Sequence, residues 1–241
     1  MAGCGILRIL SKSRPCVTTL VEIYMTTSKL LKKDLFGEVR RISCNEGDTI
    51  VRDAGAGHPL LGWLARYLMR REASVLAHLD ELPGTPTVIR VRHDELTRQY
   101  IDGAPMQEAK PRSPAYFRQA ARLLRALHRN GIAHNDLAKE PNLLVRSSGQ
   151  AAMVDFQLAV VSARRGRLFR TLAYDDIRHL LKHKRTYCPD SLSHRERRIL
   201  ANPSLPSRIW MRTGKPVYLF VTRRILGWAD REGAADRSRS D

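Results

Sequence analysis

The stretch IAHNDLAKEPNLLVRSSGQAAMVDFQ, residues 132–157, decides the fold of this chain of 241 residues. It opens with a short apolar pair before His134, which predicts the end of a strand. Its second half contains two apolar runs around the turn sequence SSGQ, which predicts a β-hairpin. Asp136 therefore follows one predicted strand, and Asp155 ends another. This arrangement predicts that both carboxylates face one cleft.

Two acids and one amide in this order suit phosphoryl transfer. Asp136 is a candidate to accept the proton of an attacking hydroxyl, and Asn142 and Asp155 are candidate ligands for the magnesium ions that neutralise a triphosphate. A His-x-Asp triplet alone carries little information, but two predicted strands and a turn separate Asn142 from Asp155, which is a more specific pattern. The structural alternative is that Asp136 and Asn142 are ordinary turn formers and that Asp155 caps the hairpin.

The sequence upstream of this stretch predicts a hairpin followed by a helix. Residues 35–52 indicate a strand, a turn and a return strand. Residues 62–82 have the spacing of an amphipathic helix. Glu72 lies on its apolar face, where an unpaired carboxylate is costly, so we expect a cation to pair with it across the interface. The alternative is that Glu72 pairs locally with arginines at the edge of that face, namely Arg66, Arg70 or Arg71.

The pattern changes from strands to helices after residue 101. Residues 87–101 predict two paired strands, and the sequence DGAP then breaks the pattern. Ser113 and the proline after it open a helix that ends at Asn130-Gly131. A further helix is expected after Thr171, where Asp175 or Asp176 either braces the loop of Asp136 or simply favours the helix dipole in the first turn.

Composition restricts the class of partner. The 42 lysines and arginines exceed the 24 acids, which gives a net charge of +18. Such a surface attracts nucleotides, nucleic acid or anionic lipid headgroups, although a solubilising charge excess explains it equally well. Only 6% of residues are aromatic, which disfavours base-stacking platforms, and no specific nucleic-acid recognition motif is present.

Cysteine usage and hydropathy predict a cytoplasmic protein. The four cysteines are scattered without Cys-x-x-Cys spacing, which argues against zinc-ribbon and thioredoxin chemistry and favours a reduced compartment. No apolar run reaches the length of a membrane-spanning helix. The basic surface is compatible with a location at the inner membrane face, so a peripheral association stays open.

Residues 30–190, approximately, resemble the protein-kinase-like superfamily, in particular its small bacterial branch with the RIO kinases and the lipopolysaccharide Kdo/heptose kinases. The segments Arg71-Glu72-Ala73 and His134-Asn135-Asp136 carry most of the resemblance. It implies an α+β, two-lobed protein-kinase-like fold with a small β-rich N-lobe, residues 25–102, and a mainly helical C-lobe, residues 103–232.

The two ends of the chain are expected to lie outside this fold. Residues 1–24 are expected to be an extension that does not belong to the core, because Met25 begins a plausible native start. Residues 233–241 are expected to form a disordered polar tail.

The resemblance assigns catalytic and metal-binding roles residue by residue. Arg52 takes the place of the strand lysine that contacts the nucleotide phosphates, and Glu72 takes the place of the helix glutamate that pairs with that lysine. Asp136 is the implied catalytic aspartate. Asn142 and Asp155 are the implied metal ligands.

The same resemblance implies a nucleotide site. Gly37 would lie in the loop that covers the phosphates, together with Arg52. Gln99 and Ile101 would lie in the hinge, where backbone groups hold the adenine. The implied cofactors are ATP and Mg²⁺, with Mn²⁺ as a possible substitute.

Three positions depart from the family pattern. Asn142 follows Asp136 by six positions where five are usual, so the loop between them must bulge if Asn142 is to be a ligand. Arg52 replaces a lysine whose contacts with phosphate a guanidinium reproduces only in part. Gln157 stands where the metal loop usually has glycine.

The expected function is therefore ATP-dependent transfer of a γ-phosphoryl group to a hydroxyl acceptor, either a protein Ser/Thr or a lipopolysaccharide-type sugar. The identity of the acceptor is left open, including an anionic or membrane-associated one, and so is the oligomeric state. One alternative is a pseudokinase, a module that binds a nucleotide or a partner without turnover. Another is a basic nucleic-acid binder that performs no phosphotransfer.

Overall fold

The structure is a computed structural model, and it describes residues 27–44, 47–79 and 82–203. The expected extension 1–24 and the expected tail 233–241 lie outside the described residues.

An antiparallel five-stranded sheet forms the first part of the described chain. Its strands are β1 (Thr27–Asp34), β2 (Gly37–Cys44), β3 (Gly47–Asp53), β4 (Val88–Val91) and β5 (Glu95–Gln99). They lie in the order β1-β2-β3-β5-β4. The sequence pattern indicates strands from residue 35 onward, whereas β1 begins at Thr27. β1 is exposed along almost its whole length, so it lacks the alternation that marks a half-buried strand.

Helix α1 (Gly62–His78) follows β3 and packs its first turns against the sheet. The buried residues of these turns are Ala65 and Met69, whereas Leu64 and Leu68 are only partly buried. The buried face is therefore rotated by about one residue from the face that the leucine pattern predicts. The small side chain of Ala65 lies in the sheet-side core.

The last turn of α1 and the residue after it belong to a larger core shared with the second part of the chain. Val75, Leu76 and Leu79 pack there with residues from the later helices and strands. The turn that follows is fixed to the same region, because the backbone N–H of Met153 donates to the carbonyl of Gly84 over 2.8 Å. The sheet region and the helical region are thus joined by a continuous core.

The second part of the chain is mainly helical. Its helices are α2 (Met106–Ala109), α3 (Pro114–Arg129), α4 (Arg167–Tyr187) and α5 (His194–Ala201), and its short strands are β6 (Ala104–Pro105), β7 (Ile132–Ala133), β8 (Leu143–Val145), β9 (Ala151–Met153) and β10 (Val160–Val161). The hairpin predicted after Asn142 is confirmed as the antiparallel pair β8–β9.

The predicted ends of α3 are also confirmed. The hydroxyl of Ser113 accepts a hydrogen bond from the N–H of Ala115, and Gly131 has a φ of 71° just after the helix. These caps position the chain so that β7 leads directly into the loop of Asp136.

The α+β class is confirmed, with a β-sheet region followed by a helical region, an arrangement compatible with two lobes. Among the described residues, no helix is both long and apolar enough to cross a bilayer.

Candidate functional site

The loop that carries Asp136 is held by a buried aspartate from α4. Asp176 is 1% exposed, and its two carboxylate oxygens accept the backbone N–H groups of His134 and Asn135, each over 2.8 Å. His128 lies 3.2 Å from the same carboxylate. Since α4 already begins at Arg167, Asp176 is not in its first turn. Of the two roles considered for Asp175 and Asp176, the structure therefore shows that Asp176 braces the loop.

His134 connects this loop to the segment of Asp155. Its Nε2 lies 3.1 Å from the carbonyl oxygen of Val154, and its ring packs on Phe156 with 4.7 Å between the ring centroids. Asn135 and Asp155 both have positive φ angles, of 60° and 65°. Left-handed backbone is uncommon outside glycine and is tolerated best by these two residue types. Both loops are thus held in special conformations beside one another.

Asp136 is surrounded by hydrogen-bond donors. Its Oδ2 accepts from Lys139 Nζ over 3.1 Å and from Asn142 Nδ2 over 3.0 Å, and its side chain is 12% exposed. Burial raises the pKa of Asp136; the neighbouring Lys139 and the hydrogen bond from Asn142 oppose this rise, whereas the charge of Asp155 adds to it. The net result is a raised pKa, which makes Asp136 a stronger base than an ordinary aspartate.

The loop between Asp136 and Asn142 is anchored to α4. Its last residues, Glu140–Asn142, form a turn of 3-10 helix. Glu140 is 2% exposed and accepts a hydrogen bond from the hydroxyl of Tyr187 in α4. His183, also in α4, lies 2.8 Å from the carbonyl oxygen of Leu137. This anchored loop brings the amide of Asn142 to the carboxylate of Asp136.

Asp155 is influenced by more positive charges than Asp136 is. Burial alone would raise the pKa of Asp155, but Arg52, Arg98 and Lys139 together, with a hydrogen bond from Gln157, bring it below its usual value. Gln157 Nε2 donates to Oδ1 of Asp155 over 2.6 Å. Asp155 is therefore ionised at neutral pH, as a metal ligand must be.

The predicted cationic partner of Glu72 is confirmed. Glu72 is 1% exposed, and its Oε2 lies 3.1 Å from Arg52 Nη1. A second arginine, Arg98 on β5, places its Nε 3.3 Å from Oε1 of Glu72. This second contact is an ion pair and not a hydrogen bond. Both atoms, Glu72 Oε1 and Arg98 Nε, are buried, and neither has a hydrogen-bond partner. Two guanidinium groups thus share one carboxylate.

The local alternative for Glu72 is wrong for two of the three arginines considered. Arg66 Nε donates instead to Asp94 over 2.5 Å. Arg71 donates from Nε and Nη2 to the carbonyl oxygen of Ala159, over 3.0 and 2.8 Å. Arg71 therefore ties α1 to the segment that follows Asp155.

The residues expected to contact a nucleotide lie in two places. Gly37 begins β2 after the tight turn from β1, with a φ of 123°, and a Cβ there would lie 2.0 Å from the carbonyl oxygen of Asp53. Glycine is therefore required by this turn itself. Gln99 ends β5 and donates its backbone N–H to Thr87 over 2.8 Å, so that donor is already used. Ile101 lies two residues further on, before β6.

The donor set for a metal is small. Among residues 27–44, 47–79 and 82–203, no three or more His, Cys, Asp or Glu side chains are grouped to hold a metal ion. Asn142 and Asp155 offer an amide oxygen and a carboxylate. Mg²⁺ commonly binds through one or two protein groups and completes its shell with water and substrate phosphates. The pair therefore fits a metal ion that arrives with a nucleotide, and it does not fit an all-protein metal centre.

Three residues of the site were not identified from the sequence: Arg98, Lys139 and Gln157. An arginine within a strand and a lysine three positions after a candidate base are weak signals, because charged residues are usually solvated. Their contacts depend on the pairing of β3 with β5 and on the fold of the loop after Asp136. The sequence marks Gln157 only as a residue that stands where the resemblance implies a glycine.

Comparisons with known proteins add no relative. No protein-family model matches the chain, and no curated protein matches it.

Proposed function

We propose that this protein is an ATP-dependent phosphotransferase with a protein-kinase-like fold, which transfers a γ-phosphoryl group to a hydroxyl acceptor. The observation that carries the proposal is the meeting of two chemically distinct acids. Asp136 is hydrogen-bonded to Asn142 and has a raised pKa, and Asp155 lies near enough to Arg52 and Arg98 to have a lowered one. A base for the acceptor hydroxyl and an anionic metal ligand are two of the groups that proteins supply for phosphoryl transfer.

The positive charge beside Asp155 supports a triphosphate ligand. Arg52 and Arg98 share the carboxylate of Glu72, and both also act on Asp155, whose pKa they lower. A guanidinium has five N–H donors, so Arg52, which gives Nη1 to Glu72, has further donors for a phosphate oxygen. Arginine at position 52 binds phosphate through a planar fork, in contrast to the point charge of lysine.

Each protein group then has a defined task. Asp136 accepts the proton of the acceptor hydroxyl, while Lys139 and Asn142 hold its carboxylate in place. Asn142 donates its amide N–H groups to the side chain and the carbonyl of Asp136, which directs its amide oxygen away from them. That oxygen and Asp155 would hold Mg²⁺, which supplies charge neutralisation on the phosphates when it is bound.

The acceptor is a protein Ser/Thr or a lipopolysaccharide-type sugar. The segment between Asp155 and α4 is short, since α4 begins at Arg167. By resemblance, a long segment at this place serves to bind peptide substrates, so the short one favours a non-peptide acceptor.

A pseudokinase is the second candidate, and one observation favours it. Gln157 donates a hydrogen bond of 2.6 Å to Oδ1 of Asp155, and this bond competes with a metal ion for that oxygen. In that case the arginines would bind a nucleotide that is not turned over.

Thermal-shift titration with ATP and either Mg²⁺ or Mn²⁺, followed by a measurement of ATP turnover, tests the proposal. Wild type is compared with Asp136→Asn and Asp155→Asn, and with Asp190→Asn as a matched control, because Asp190 is exposed in the 3-10 turn that follows α4. We expect a metal-dependent stabilisation in wild type, in the control and in Asp136→Asn, but turnover only in wild type and the control.

The outcomes separate the candidates. Nucleotide binding with equal, background-level turnover in all four proteins would identify a pseudokinase. The absence of any nucleotide-dependent shift in wild type would contradict both candidates.

A further inference from the structure

A continuous series of exposed arginines runs along α3 and into the segment before and within the first turn of α4. We call this series the basic band. Its members are Arg118, Arg122, Arg125, Arg129, Arg164, Arg165, Arg167 and Arg170, all of them exposed. The four on α3 recur at intervals of four, three and four residues, which places them on one face of the helix.

The two halves of the basic band are in contact. The side chain of Arg165 donates a hydrogen bond to the backbone carbonyl of Arg129 at the end of α3. Phe169, in the first turn of α4, packs edge-on against His128, with 6.2 Å between the ring centroids. The arginines of α3 therefore continue without a break into those that precede and begin α4.

The charge of the basic band is not compensated by nearby acids. Neither α3 nor the segment 156–174 contains an aspartate or glutamate. No arginine of the band makes an ion pair with an acid in the described part of the chain, in contrast to Arg40, Arg41 and Arg66 of the sheet region. A row of like charges without counterions is suited to an external polyanion.

Exposed apolar side chains lie among the arginines of the second half. Leu168 is 69% exposed and Val161 is 41% exposed, and Leu158 is 40% exposed just before them. These features do not favour nucleic acid as the partner. The phosphate backbone of a nucleic acid has no apolar surface for such side chains, and the band contains no exposed aromatic residue for stacking on bases. Apolar side chains interspersed with arginines are instead typical of surfaces that settle at the boundary between lipid headgroups and acyl chains.

We propose that the basic band docks the protein on the surface of a membrane that contains anionic lipids. The arginines contact the headgroups, and Leu168 enters the interface. The proposal goes beyond phosphotransfer and does not depend on it, because docking requires neither Asp136 nor Asp155.

The test is sedimentation of the full-length protein with vesicles of phosphatidylcholine alone and of phosphatidylcholine mixed with phosphatidylglycerol. The band variant carries Arg164→Gln, Arg167→Gln and Arg170→Gln. The matched control carries Arg92→Gln, Arg195→Gln and Arg197→Gln, three exposed arginines outside the band, so both proteins have the same net charge. Arg165 is left intact because of its bond to Arg129. Thermal unfolding of both variants establishes that they are folded.

We expect wild type and the control to bind the anionic vesicles and to bind phosphatidylcholine weakly. Because an arginine near an anionic bilayer strengthens binding about fivefold, the band variant should bind about 100-fold more weakly than wild type. Leu168→Ser keeps the charge and should lose the part of the binding that persists at high salt.

Two results would overturn the proposal. Equal weakening by the band variant and the control would mean that net charge alone attracts the protein to vesicles. Tighter, band-dependent binding to duplex RNA or DNA than to anionic vesicles, with Leu168→Ser unchanged, would identify the partner as nucleic acid.

Discussion

The loop of Asp136 and the loop of Asp155 each contain an aspartate, and the two loops shift the pKa of that side chain in opposite directions. For Asp136, burial outweighs the help of Lys139 and raises the pKa. For Asp155, the charges of Arg52 and Arg98 outweigh burial and lower the pKa. The difference lies in the neighbours and not in the residue type, and it is the difference that the proposed roles of proton acceptor and metal ligand require.

The largest expected effect comes from removing the charge of Asp155. Asp155→Asn should lower ATP turnover about 10³-fold, since a metal ion contributes several kcal/mol of transition-state stabilisation. The same variant should lose the metal-dependent part of the thermal shift with ATP. Turnover at the wild-type rate, with the metal dependence intact, would contradict the role of Asp155 as a metal ligand.

The pKa shifts of the two aspartates should also have opposite effects on the stability of the folded protein. The lowered pKa of Asp155 contributes stability that is present above pH 3.8 and is lost as the pH falls through the folded-state value. The raised pKa of Asp136 costs stability above that raised value, and the cost disappears below pH 3.8, where the unfolded chain is protonated as well.

At pH 7, therefore, Asp136→Asn should increase the free energy of unfolding and Asp155→Asn should decrease it. Urea denaturation of both variants beside wild type measures this. Changes of the same sign in both variants would show that the two environments do not differ as described.

Substitution of Lys139 should change the pKa of Asp136 more than the pKa of Asp155. Lys139→Met removes a positive charge that opposes the rise in the pKa of Asp136, so this pKa should rise further. The pKa of Asp155 should change less, because Arg52 and Arg98 remain and each lowers this pKa more than Lys139 does. In a measurement of the ATP turnover rate against pH, the fall in rate on the acid side should begin at a higher pH. The rate should be about fivefold lower than in wild type on that side and little changed on the alkaline side. A uniform loss at every pH would indicate a different role for Lys139.

The smallest expected effect concerns Gln157. Gln157→Gly removes a hydrogen bond from Oδ1 of Asp155, so a metal ion no longer has to displace it. The concentration of Mg²⁺ needed for half-maximal thermal shift with ATP should fall about twofold, which is the lower range for one hydrogen bond. A weaker response to Mg²⁺ would mean that Gln157 orients the carboxylate for the metal.

The parts of this architecture that could be predicted are those encoded by neighbouring residues. Ser113 and Gly131 mark the ends of α3, and the two apolar runs around SSGQ mark the β8–β9 hairpin. Glu72 was found because a carboxylate on an apolar helix face needs a partner.

The parts that could not be predicted depend on distant contacts or weak local patterns. Arg98 reaches Glu72 only because β5 pairs with β3. The choice of Asp176 over Asp175 depends on where α4 begins, which is earlier than its apolar pattern suggests. β1 is an exposed strand without alternation, and no periodic signal marks it.

The double hydrogen bond from Arg71 to the carbonyl of Ala159 has a consequence for motion. It fastens the helix that carries Glu72 to the peptide segment four residues beyond Asp155. If the cleft opens by swinging this helix outward, the segment beyond Asp155 must travel with it, or both bonds must break together. In the proposed function, Arg52 and Asp155 would therefore keep their spacing during such a motion, so a nucleotide would meet both groups already in place.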